Sequence, residues 1–122
     1  MDRWIKVTGL LGALAVVAGA FGAHILKDKV APTDLEIWKT GAQYQLVHCV
    51  AMLAVALAGD RAARCLRWWL AGVIIFAGSL YLLVLTGQRW FGAITPIGGV
   101  CLIIGWVTLA FSFKNQSSPS SA

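Results

Sequence analysis

The sequence predicts an all-α, polytopic membrane protein: a four-transmembrane-helix bundle with a short interfacial helix between helices 1 and 2. Three observations carry this. The 122 residues are 59% hydrophobic and only 12% charged, whereas a soluble domain is about half apolar and about a quarter charged. The charges cluster between long apolar runs instead of alternating with them. There are four such runs, each near the length that crosses the roughly 30 Å hydrocarbon layer at 1.5 Å per residue. A soluble fold of this size buries too small a share of its surface to hide so much apolar area; a bilayer removes that demand.

The first helix is expected over about residues 5–26, after a short basic start holding Arg3 and Lys6. A basic start, an apolar run and Ala18-Gly19-Ala20 also resemble a signal peptide with a small-residue cleavage site. The run continues past Ala20 and further spans follow, so a retained helix is expected. It is rich in small residues. Ala15, Gly19 and Ala23 are four apart, Ala18 and Gly22 extend the pattern, and small-xxx-small faces let membrane helices approach closely. This makes helix 1 the expected central packing helix.

Pro32 stops any continuation of that helix. Thr33-Asp-Leu-Glu36 fits a capping box, so a short interfacial helix is expected at about 34–41, with Trp38 at the membrane–water boundary and Gly41 permitting a bend. Helix 2 is expected over about 42–58, starting with Gln43, Tyr44, Gln45 and His48 and then wholly apolar. A basic loop with Arg61, Arg64 and Arg67 leads to helix 3, about 68–86, opened by Trp68 and Trp69. A tight loop, Thr86–Gly92, carries Arg89, and helix 4 is expected over about 93–113. Pro96 falls in its first turn, where a missing N–H costs little. Gly98 and Gly105, seven apart, give it one smooth stripe. Residues 1–114 thus form one membrane domain, and the Ser-rich 115–122 a disordered tail.

The net charge is +5. The basic residues flank apolar runs and form no patch with interleaved aromatics, which speaks for membrane orientation and against nucleic acid as a partner. Arg3, Lys6, Arg61, Arg64, Arg67 and Lys114 share one side; Lys27, Lys29, Lys39 and Arg89 share the other. The bias places both termini in the cytoplasm of a cell whose inner membrane holds the protein. The three cysteines, Cys49, Cys65 and Cys101, include no Cys-x-x-Cys pair, which argues against thiol exchange and against a zinc motif.

The segment Gly19-Ala-Phe-Gly-Ala-His24-x-Leu26, then a polar spacer, then Thr40-Gly41-x-x-Tyr44-Gln45-x-x-His48-x-x-Ala51, resembles the domain-of-unknown-function 423 family. Its bacterial members form the UPF0382 group of inner-membrane proteins, and transmembrane protein 256 is a eukaryotic relative. The likeness spans about residues 5–113; its first half carries the specific motif, its second half only hydropathy and length. It implies a small multi-pass membrane protein of four helices and no established activity.

Most of the chemistry-bearing side chains fall between Gly22 and His48. Tyr44 and His48 are four apart, Gln45 and His48 three apart, so both pairs can share a helix face. With His24 from the matching end of helix 1, a polar cluster of His24, Tyr44, Gln45 and His48 is expected, with Asp28 or Glu36 as a lid. Such a cluster can be interhelical hydrogen bonding that sets register or a proton- or ligand-handling site. Two histidines and a loop carboxylate could make a metal site, but at no known spacing; a haem would need both histidines. No cofactor is called for.

Other classes lack their parts. A small cation exporter needs a carboxylate within the span, and all five acidic residues, Asp2, Asp28, Asp34, Glu36 and Asp60, lie in flanks or loops. A Ser hydrolase lacks Gly-x-Ser-x-Gly. Two readings remain: a non-enzymatic structural or accessory membrane protein that binds its own copies or a larger complex, and a small oligomeric transporter or channel using His24 and His48. Only Ser79, Thr86, Thr108 and Ser112 add polarity along helices 3 and 4, which favours the first. The orientation is testable in a background without the native cysteines. Lys29→Cys should react with a membrane-impermeant thiol reagent in intact cells, and Lys6→Cys only after the membrane is opened; the reverse pattern would invert the topology.

Overall fold

The computed structural model describes residues 2–59 and 62–112. The expected tail at 115–122, the stop at Lys114 and the loop residues Asp60 and Arg61 lie outside the described residues. Four helices alternate in direction: α1 (Asp2–His24), α2 (Pro32–Leu57), α3 (Ala63–Thr86) and α4 (Thr95–Ser112), with short 3-10 segments at Leu26–Asp28 and Arg89–Ala93. All four are long and apolar enough to cross a membrane, α4 together with the 3-10 segment before it. The all-α, four-span class therefore holds.

The boundaries differ from expectation in three places. There is no separate interfacial helix and no break at Gly41: residues 34–41 are the opening turns of a continuous 26-residue α2. Thr33 makes no cap. The helix starts from Ala31 with Pro32 in its first turn and no side-chain cap bond, because proline's fixed φ and missing N–H suit that position. Gly41 is close-packed instead of bent, its Cα facing the Tyr81 ring. Finally, α3 begins at Ala63, so Arg64 and Arg67 are helical and the two tryptophans lie in its second turn.

The packing order also differs. Each helix packs chiefly on its sequence neighbours, and among the described residues the main helix–helix interfaces are α1–α2, α2–α3 and α3–α4. In α2 and α3, 44% of the most apolar stretch is buried, against 17% in α1 and 22% in α4. The centre is therefore α2 and α3, not α1. The small-residue face of α1 that packs is Ala15, Ala18 and Gly22; Gly19 and Ala23 are exposed. Trp38 faces the protein interior. Only 5% exposed, it donates Nε1–H to the Ala18 carbonyl at 2.7 Å and packs over Gly22, where a Cβ would meet the indole at 2.6 Å.

The α3–α4 seam follows the glycine stripe. Gly98 lies against the Phe76 backbone and Gly105 against the Trp69 indole, each closer than any Cβ would allow, while Gly72 faces Leu102. Positions 69, 72 and 76 on α3 thus mesh antiparallel with 105, 102 and 98 on α4. Both 3-10 connections are short. Gly87 ends α3 with φ 72° and bonds back to the Leu83 carbonyl at 2.9 Å, a left-handed cap that favours glycine. Arg89 then reaches Asp34 with both terminal guanidinium nitrogens, at 3.0 and 3.3 Å. This ties the α3–α4 turn to the start of α2. The arginine is exposed, so the pair contributes on the order of 0–1 kcal/mol.

The seam predicts a graded series. Gly105→Leu and Gly98→Val should each cost about 1–3 kcal/mol through overpacking. Gly99→Ala, whose Cβ meets only Phe76 ring carbons at ordinary contact distance, should be near neutral. Denaturant unfolding in mixed micelles followed by far-UV circular dichroism measures this, and wild-type stability of Gly105→Leu would reject the α3–α4 register.

Candidate functional site

The structure splits the expected cluster. Gln45 donates its amide Nε2–H to the Leu11 carbonyl at 2.8 Å, so its level on α1 is Leu11. His24 lies thirteen residues further along α1, roughly 20 Å of helix. Trp38 bonding to Ala18 gives the same antiparallel register. His24 is exposed at the end where α2 starts, near the level of Asp28 and Glu36, while His48 is a further turn past Gln45. His24, Asp28 and Glu36 therefore form no common site with His48. The expectation placed the polar start of helix 2 at its membrane boundary; once α2 begins at Pro32, His48 falls more than four turns inside it.

What the structure gathers around Gln45 and His48 is a polar and aromatic network through α2, α3 and α4. Gln45 is 4% exposed; besides donating to Leu11 it accepts the Tyr81 hydroxyl hydrogen at 2.7 Å. His48 is 5% exposed. Trp106 donates Nε1–H to its Nε2 at 3.1 Å, so Nε2 carries the lone pair. The hydrogen then sits on Nδ1, which donates to the Tyr44 carbonyl one turn back at 2.8 Å. That network assigns a neutral imidazole with both nitrogens occupied. Its ring meets Trp69 and Trp106 edge-to-face at 5.9 and 5.8 Å, and the two tryptophans meet each other at 4.6 Å. Trp69, fully buried, donates to the Leu102 carbonyl at 3.2 Å. Tyr44 lies half outside, its ring 4.7 Å from that of Phe76. Nearer the other end, Ser79 and Thr95 share a hydrogen bond of 2.6 Å between α3 and the start of α4.

Sequence reasoning missed Tyr81, Trp69, Trp106 and Trp38 as members of this network. A signal for them existed. An indole N–H or phenol O–H in the middle of an apolar span has to find an acceptor, because lipid offers none. Among the described residues no buried side-chain nitrogen or oxygen lacks a partner, and no three His, Cys, Asp or Glu side chains come together as a metal site. Chemically, the arrangement fixes three helices in register and orients a neutral histidine.

Four apolar, neighbour-packed helices cross-linked by buried hydrogen bonds define the class: a small polytopic α-helical membrane protein. The chain belongs to the DUF423 family, described as a protein of unknown function, whose family model matches residues 18–99. It is 44% identical over 116 residues to a UPF0382 membrane protein of Staphylococcus epidermidis, covering 88% of this chain and 95% of that one. It is 42% identical over 115 residues to the UPF0382 membrane protein YwdK of Bacillus subtilis, covering 86% and 94%. A UPF0382 membrane protein of Haemophilus influenzae is 39% identical over 121 residues, covering 95% and 98%. The family model runs through α3 into the start of α4, well beyond the first-half motif. No solved structure matches the chain.

The Gln45 contacts are separable by mutation. Tyr81→Phe and Gln45→Leu should each destabilise the protein by roughly 0.6–1.7 kcal/mol, the range of interhelical hydrogen bonds in membrane proteins. The double variant should lose less than the sum of the two. Additive losses in a double-mutant cycle, measured by unfolding in micelles, would show that the pair is not coupled.

Proposed function

We propose that this protein is a non-enzymatic structural or accessory component of the inner membrane, with both termini cytoplasmic, acting through its helix faces and associating with its own copies or with a larger membrane complex. One observation carries the reading. The strongest hydrogen-bonding side chains within the spans, Trp38, Gln45, His48, Trp69, Tyr81 and Trp106, are directed at neighbouring helices of the same chain. A group that passes a proton needs partners that give or take one; at His48 the partners are the Tyr44 backbone carbonyl and the Trp106 indole N–H, which do neither at ordinary pH. The transporter reading rested on His24 and His48 acting together, and their different depths support it less.

The outer surface of α1 supports association. Gly9, Gly12 and Gly19 have open space where a Cβ would stand, on a helix that leaves Leu10, Leu14, Val16 and Val17 more than half exposed. Smooth small-residue surfaces allow the close backbone approach by which membrane helices pair. Crosslinking of the tagged protein in native membranes, followed by mass spectrometry, tests the proposal. It should give reproducible adducts with itself or one membrane partner. Gly12→Leu with Gly19→Leu should lose them while unfolding like the wild type. A protein recovered only as a monomer would overturn the reading.

A further inference from the structure

At the end of the molecule where α3 starts and α4 finishes, Ala63, Arg64 and Arg67 face Val107, Thr108, Phe111 and Ser112 across an open cleft of about 530 Å³. We propose that this cleft binds the phosphodiester headgroup of an anionic glycerophospholipid. It goes beyond the structural role above and does not depend on it.

The chemistry on the two walls is divided as such a ligand requires. Arg64 and Arg67 are three apart on a helix, hence neighbours on one face. Both are exposed, and neither has a carboxylate partner among the described residues, where Arg89 and Asp34 make the one ion pair. Guanidinium forks match phosphate oxygens in geometry as well as charge. The hydroxyls opposite are already committed: Thr108 donates to the Gly105 carbonyl at 2.8 Å and Ser112 to the Thr108 carbonyl at 2.6 Å. Anion recognition therefore falls to the arginines. α3 also starts without a side-chain cap and without an acid in its first turn, so its positive dipole end adds to theirs. Val107 and Phe111, four apart, offer the apolar surface against which the glycerol and the first acyl carbons would lie. Both helices end here, which puts the cleft at the bilayer surface, at the depth of headgroup phosphates. Basic pockets between membrane helices at that level hold anionic lipid headgroups. A free phosphate would use the arginines but leave the Val107–Phe111 wall unused, and this favours the lipid.

The test uses the full-length protein purified in a neutral detergent. Dioleoyl phosphatidylglycerol should raise its thermal unfolding midpoint by several degrees. Dioleoyl phosphatidylcholine and soluble glycerol 3-phosphate at the same concentration should not. Arg64→Gln with Arg67→Gln should keep its helical circular dichroism and weaken the apparent phosphatidylglycerol affinity roughly twenty-five-fold, about fivefold for each guanidinium. Arg3→Gln with Lys6→Gln, basic residues at the same end of the molecule, should keep it. A second readout needs no variant: a photoreactive phosphatidylglycerol should label wild-type protein within 63–67 and 107–112. Equal stabilisation by phosphatidylcholine would overturn the proposal. So would an equal shift from glycerol 3-phosphate, unchanged affinity in the double arginine variant, equal loss in the Arg3 and Lys6 variant, or photolabels spread over the four helices.

Discussion

In hydrocarbon there is no water to satisfy an amide, indole or phenol, and each one left unpaired costs several kcal/mol. The packing of this protein follows from that constraint. Gln45, Trp38, Trp69, Tyr81 and Trp106 each lie within a span, and each reaches an acceptor on another helix. These bonds set register where apolar contact alone, between surfaces as greasy as the lipid around them, would leave helices free to slide. Trp38 to Ala18 and Gln45 to Leu11 fix α1 on α2; Tyr81 to Gln45 fixes α3 on α2; Trp69 to Leu102 and Trp106 to His48 fix α4.

Glycine makes these bonds reachable. An indole can bond a backbone carbonyl on a neighbouring helix only where the two axes come close and the ring has somewhere to lie. Gly22 gives that space to Trp38 and Gly105 gives it to Trp69. The pairing of a tryptophan with a glycine across each seam is thus one device used twice, on α1–α2 and on α3–α4. The glycines on the outer surface of α1, with nothing over them, are a different population, and association with another helix is the use proposed for them.

The two ends of the molecule are chemically distinct. One carries Arg89 bound to Asp34, where charge neutralises charge and ties a turn to a helix. The other carries Arg64 and Arg67 facing an open cleft with no described counter-charge. An arginine at a bilayer surface that finds no carboxylate among the described residues is well placed for the phosphates around it, and a positive end of this kind also resists translocation across the membrane. One pair of side chains can thus serve both orientation and lipid contact.

The sequence by itself determined the solvent and the class. Four apolar runs and flanking charges can be satisfied only by helices in a bilayer, since every backbone group must be bonded within its own segment. The family motif and the smooth Gly98–Gly105 stripe were legible for the same reason, being local or periodic. The candidate site was legible only in part. Gln45 and His48 stand out in the sequence as polar residues in an apolar run, but His24 falls in with them only if α2 is two pieces, and it is one. Pro32, Thr33 and Gly41 look like a stop, a cap and a hinge one at a time; in the structure Pro32 starts the helix and Gly41 receives the Tyr81 ring. Only the tertiary structure decided depth, because the level of a residue in the membrane is set by which carbonyl on the next helix it meets. That same pairing made α2 and α3 the centre and α1 a flank. A stripe of small residues shows that a helix can be approached closely; the neighbour that approaches it is chosen by long-range bonds that no local pattern encodes.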